Sequence, residues 1–126
     1  MSLVIERPEG LLLVRRPDDD EDLPGAWGLP AATLAEGESE EDAVRRAGRD
    51  KLGVEVRPLR AVGEDGFMAG WEAELVSGEP AVPQPGLHTQ YTELRWGEPS
   101  ELVPAARRGS LCSRVLLRAR GLGWGA

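Results

Sequence analysis

Apolar and polar positions repeat with two periods along this chain, and the changes between them mark out its elements. Leu3 to Glu6 and Leu11 to Arg15 are short apolar runs on either side of Arg7-Pro8-Glu9-Gly10. Pro and Gly suit a tight connection, so the two runs predict neighbouring strands. Ala26 to Pro30 predicts a further short strand. The period then changes. Ser39 is a good N-cap, and Glu40, Glu41 and Asp42 follow where a helix dipole favours negative charge. Ala43, Val44 and Ala47 give this helix an apolar side, Glu41–Arg45 and Asp42–Arg46 have favourable i,i+4 order, and Gly53 suits its end.

Beyond Gly53, Val54–Arg57 and Leu59–Val62 predict two strands divided by Pro58. Trp71, Ala73 and Leu75 alternate with Glu72 and Glu74, as a half-buried strand does. Residues 77–90, with Pro80, Pro83, Pro85, Gly78 and Gly86, predict a loop that carries His88, the only histidine. Leu94 and Trp96 alternate with Glu93 and Arg95 in a last strand. Ser110 to Arg120 is amphipathic, with Leu111, Val115 and Leu116 on one side and Arg114 and Arg118 on another.

Composition narrows the classes. A chain of 126 residues, 40% hydrophobic and 29% charged, is expected to form one globular domain over 1–126. No apolar run approaches the ~20 residues of a spanning helix, and the start lacks the pattern of a secretory signal, so a cytoplasmic location with no membrane partner is expected. A net charge of −7 argues against broad nucleic-acid binding, which draws on many Lys and Arg contacts to phosphate. Cys112 is the single cysteine and reads as a buried thiol; Cys/His zinc sites are excluded. Asp18 to Asp22, five acids in a row, read as a solvated, mobile loop.

The segment from Trp27 to Val54 carries the candidate chemistry. Trp27, Leu29 and Pro30 precede Ala32, Glu38, Arg46, Gly53 and Val54. Their spacing resembles the box of the Nudix hydrolase family, G-x5-E-x7-R-E-U-x-E-E-x-G-U, U being a bulky aliphatic residue, after a Trp-x-Leu-Pro-Gly lead-in. The resemblance covers essentially the whole chain and implies the family's fold, an α/β/α sandwich with a mixed sheet between helices. The chemistry departs at defined points. Ala47 stands where the family has the Glu after Arg, Gly48 where it has an aliphatic residue, and Asp50-Lys51 where it has Glu-Glu. Ala31-Ala32 replaces Gly-Gly, which implies a different path for that loop.

The family's carboxylates would hold Mg²⁺ or Mn²⁺ from one helix face, and the ion would activate water against a nucleoside diphosphate linked to a group X. Here that face reads Ala, Asp, Lys, and Lys51 is the one lysine of the chain. By resemblance Asp50 is the remaining metal ligand, and Glu38 and Glu93 are candidate catalytic acids. Arg46 and Lys51 are candidate phosphate-binding residues. Each has a plainer role: Asp50 or Asp42 pairing with Arg46, Glu38 serving the helix start, Glu93 on a solvent-facing side, His88 simply exposed, Trp27 and Trp96 packed in the core. A mid-helix Gly48, costing ~1 kcal/mol, ill suits a rigid ligand platform.

Three readings stay open. One is a hydrolase of small nucleotide diphosphates, with Mg or Mn as cofactor and standard activity weakened or lost. Another is a binding module taking a small nucleotide-type ligand without a cofactor, and the third is a scaffold docking through Arg107, Arg108, Arg114, Arg118 and Arg120. The resemblance also implies a homodimer.

Overall fold

The computed structural model describes residues 1–65, 68–82 and 91–125. The chain begins with β1 (Ser2–Val4), β2 (Glu6–Arg7), β3 (Gly10–Arg15) and β4 (Trp27–Gly28). Helix α1 (Glu40–Ala47) runs into a π-helical turn, Gly48–Leu52. Strands β5 (Glu55–Asp65), β6 (Met68–Ser77) and β7 (Glu93–Gly97) follow. A 3₁₀ turn at Pro99–Leu102 leads into α2 (Val103–Arg107), and α3 (Leu111–Ala119) comes last.

The strands form two joined sheets. β1 lies parallel to β6, and β5 pairs antiparallel with β6 at the edge, so this sheet is mixed. In the other sheet β3 pairs antiparallel with β7 along one side, and with β2 and β4 along the other. The Leu3 N–H donates to the Pro30 carbonyl at 2.8 Å and the Ala32 N–H to the Met1 carbonyl at 2.9 Å, which ties β1 to the lead-in segment. Ala31 pairs with Ser2 as an isolated bridge, and among the described residues only glycines have positive φ.

Alternation along β3 builds two cores. Leu12 and Val14 join Leu3, Ile5, Val44, Ala47, Leu52 and Val56 beneath α1. Leu11 and Leu13 join Leu29, Leu102, Leu116 and Leu117 beneath α2 and α3. Helices thus cover both faces, giving the expected α/β/α sandwich. Several local expectations change. β5 runs unbroken through Pro58, with irregular register between Pro58 and Arg60, because an edge strand tolerates a missing N–H. In α3 the buried side is Ser113, Val115, Leu116 and Leu117, while Leu111 is exposed. The acidic loop is organised by one member: Asp20 accepts from the Leu23 N–H at 2.8 Å, the Asp22 N–H at 3.2 Å and Arg16 at 3.1 Å. His88 lies outside the described residues.

The caps of the first helix are those the sequence predicts. Ser39 Oγ accepts from the Asp42 N–H at 3.1 Å, and Gly53, at φ 68°, supplies the left-handed C-terminal residue. Gly48 has a packing role that propensity hides. A Cβ there would lie 2.9 Å from Val56 Cγ2 and 3.3 Å from the Val54 carbonyl oxygen, so its absence lets the π turn close onto β5. Gly48→Ala should therefore lower stability by about 1 kcal/mol, overpacking outweighing the gain in helix propensity. A urea midpoint unchanged or raised in the variant would contradict that packing role.

Candidate functional site

Helix α1, its π turn and the lead-in segment bring together four of the five residues singled out from the sequence. Arg46 makes a forked pair with Glu38, Nε to Oε2 at 2.9 Å and Nη2 to Oε1 at 3.0 Å. Its Nη2 also donates to the Thr33 carbonyl at 2.7 Å. Glu38 Oε1 accepts from the Ala35 N–H at 3.0 Å, so the pair holds residues 33–38 against the helix. The hydrogen bond from Arg46, with that from Ala35, pulls the Glu38 carboxyl below its usual range. Arg46 does not pair with Asp42, which takes Arg45 instead at 3.1 Å. Asp50 lies 3.9 Å from Arg46 Nη1, the cross-turn pair the spacing suggests. Glu38 and Asp50 are both committed to one arginine.

The remaining two box positions diverge. Ala47 is fully buried in the core beneath α1, so a carboxylate at this position would stand among packed side chains. Lys51 is half-buried and, among the described residues, has no carboxylate within ion-pair distance. Its Nζ sits 5.8 Å from the centre of the Tyr91 ring. The Tyr91 hydroxyl in turn accepts from the Ala31 N–H at 2.9 Å, which places this contact at the junction of the helix end and the lead-in. Burial pushes the Lys51 ammonium below its usual range; Asp50 acts against this and the like charges of Arg46 and Arg16 reinforce it.

Glu93 stands apart. It is exposed, pairs in register with Arg15 and forms an ion pair with it at 3.3 Å. Leu12 and Val14, opposite Trp96 and Leu94, face the core under α1. Arg15 and Glu93 follow the alternate parity, which places Glu93 on the other face of the sheet from the box residues. Nothing local in the sequence singles out Tyr91 or Arg16; they reach Lys51 only through the fold.

A divalent ion of the kind the motif implies finds a poor donor set here. Among the described residues no group of three or more His, Cys, Asp or Glu side chains converges as metal ligands do. The two box carboxylates serve Arg46, and an ammonium occupies the third ligand position. The tryptophans are also engaged: Arg95 stacks on Trp27 at 4.3 Å and Arg7 on Trp96 at 4.0 Å. Both rings pack against the core while remaining partly exposed.

The C-terminal arginines are tied within the chain. Arg107 donates to the Trp124 carbonyl at 2.6 Å, Arg108 to the Pro24 carbonyl at 3.4 Å and Arg114 to the Ala106 carbonyl at 2.8 Å. Arg118 pairs with Asp65 at 3.4 Å, and Arg120 pairs with Glu6. They make intramolecular braces, which weakens the case for a basic docking face. Among the described residues no helix is long and apolar enough to cross a membrane.

A sandwich of this order, with a capped helix and its Pro-containing lead-in at one junction, defines a Nudix-type fold. The NUDIX domain family matches residues 1–118, and the chain belongs to the Nudix hydrolase family. It is 31% identical over 131 residues to the NAD-capped RNA hydrolase NudC of Stutzerimonas stutzeri, covering 98% of this chain and 45% of that protein. The corresponding figures for NudC of Pseudomonas aeruginosa are 30% over 122 residues, 92% and 41%. The chain thus spans less than half the length of the curated relatives it matches. Among solved structures, a Nudix hydrolase from Nitrosomonas europaea superimposes with a TM-score of 0.71 at 19% identity, covering 95% of this chain and 85% of that one. The MutT protein of Methanosarcina mazei gives 0.69 at 16%, covering 95% and 90%. At these identities the structural likeness speaks to the fold alone.

Proposed function

We propose that this chain is a Nudix domain for nucleotides carrying a diphosphate, with standard metal-dependent hydrolysis weakened to the point of loss. The observation that carries the reading is the state of the three box positions that should supply carboxylates. Ala47 is in the core, Asp50 is paired with Arg46, and Lys51 puts a positive charge where the ion's third ligand belongs. Like charges a few ångströms apart repel strongly in a partly desolvated site, so Lys51 opposes the cation that hydrolysis requires. The ligand class follows from family membership and from the relatives named as NAD-capped RNA hydrolases, since NAD is itself two nucleosides joined through a diphosphate.

A second reading, a hydrolase whose site is completed by acids outside the box, draws on the same relatives. Turnover separates the two. A panel of nucleoside di- and triphosphates, dinucleotides and nucleotide sugars, with Mg²⁺ or Mn²⁺, should show no release above an EDTA control. Release that EDTA abolishes, and that Asp50→Ala also abolishes, would establish the second reading.

A further inference from the structure

The mismatch between the donor set and a divalent ion points to what the site does accept, and this step rests on the reading just given. We propose that Lys51 takes the place of the metal ion as a fixed cation and binds a phosphate oxygen directly, so that diphosphate recognition here is independent of metal.

The charge balance around Lys51 carries the argument. Arg46 is neutralised by Glu38 at 2.9 Å and further approached by Asp50 at 3.9 Å. Arg16 is neutralised by Asp20 at 3.1 Å. Lys51 alone of these cations lacks a carboxylate partner among the described residues, although it is half-buried. Asp50 attracts Lys51 only from beyond ion-pair distance; a partly desolvated charge so weakly compensated is costly, and the cost is recovered when an anion arrives. A divalent cation would worsen the balance; a phosphate group corrects it. An ammonium with three rotatable donors suits a phosphate as a point charge. The contact with the Tyr91 ring leaves those donors unspent on any acid, and its weak attraction holds the stem at the junction of the π turn and the lead-in.

Calorimetric titration of the full chain with inorganic pyrophosphate, ADP and adenosine tests this. Pyrophosphate and ADP should bind with the same affinity in EDTA and in excess Mg²⁺, and adenosine should not bind. Lys51→Ala should weaken both anions by about tenfold, and Lys51→Arg should retain most of the affinity. Because Lys51 lies outside the core and its charge is costly in the free protein, thermal melts of Lys51→Ala should be no lower than those of the wild type, and Lys51→Arg should match it. Absence of binding, binding only with Mg²⁺, or affinity unchanged in Lys51→Ala would each overturn the inference. The turnover panel judges the underlying reading separately. A silent panel with no anion binding sinks only the role of Lys51, whereas EDTA-sensitive release sinks the loss of hydrolysis from which it follows.

Discussion

Ala47→Glu, the substitution that restores the family's carboxylate after Arg46, should cost about 3 kcal/mol of stability when no metal is present. Ala47 is fully buried among Leu3, Ile5, Leu12, Val14 and Leu52. A carboxylate placed there leaves water without a partner, and the helix cannot rotate to expose it because Val44 on α1 and Leu52 on the π turn that continues it are also fully buried. Lys51, four residues on, should soften the penalty by attraction. Adding Lys51→Glu removes that help and puts a third acid beside Asp50, so the metal-free double variant should be the less stable by a further ~1 kcal/mol. Mn²⁺ should reverse the order: an ion that binds the folded double variant raises its melting temperature in proportion to occupancy, while leaving wild type unmoved. Thermal melts of the four proteins with EDTA and with Mn²⁺ read all of this. A single variant as stable as wild type would mean that position 47 opens to solvent, contrary to its packing. A double variant indifferent to Mn²⁺ would mean that restoring both acids does not rebuild the site.

The fold was legible wherever local chemistry decides the structure. Ser39 and Gly53 bound their helix because capping is settled within a few residues. Leu12 and Val14 against Leu11 and Leu13 split between two cores as strand alternation requires. The reading failed where tertiary context outweighs propensity. Pro58 looks like a strand break, yet β5 lies on an edge and needs no N–H at that position. Gly48 looks like a flaw in a helix, yet Val56 occupies the space a methyl group would fill. Asp42 looks like the partner of Arg46 by spacing, but Glu38, on the loop before the helix, offers both oxygens to the guanidinium fork.

The candidate site shows the same division. The departures at 47, 50 and 51 are visible in the sequence, but their consequence depends on which way each position faces. Only the fold separates Ala47, turned inward, from Lys51, left half-buried without an acid. Only the register of β3 with β7 turns Glu93 toward Arg15 and away from the box. Tyr91 and Arg16 come from distant parts of the chain and fit no spacing rule.

Gly10→Ala should be among the most damaging single-methyl changes in this protein, lowering stability by about 3 kcal/mol. Gly10 has φ 140°, a region L side chains seldom enter, and an added Cβ would stand 2.5 Å from the Gly97 carbonyl oxygen and 3.0 Å from the Gly97 nitrogen. These are backbone atoms, and they are held in place by the ladder of β7 on β3 from Leu11–Gly97 to Arg15–Glu93. No rotamer change relieves the contact. Gly53→Ala is the control, since Gly53 has φ 68° with nothing within 4 Å of an added Cβ. That variant bears conformational strain alone and should lose about 1 kcal/mol. Urea unfolding of the pair therefore weighs the left-handed strain at Gly53 alone against the larger strain and backbone contact combined at Gly10. Equal losses would show that the β7 backbone gives way and that the ladder does not fix its position. A gap of about 2 kcal/mol would show the sheet to be as rigid there as the close approach of Gly10 to Gly97 implies. Because Gly10 lies at the β2–β3 turn, remote in the fold from Lys51, the folded fraction of Gly10→Ala should still bind pyrophosphate as wild type does, which separates loss of stability from damage to the site.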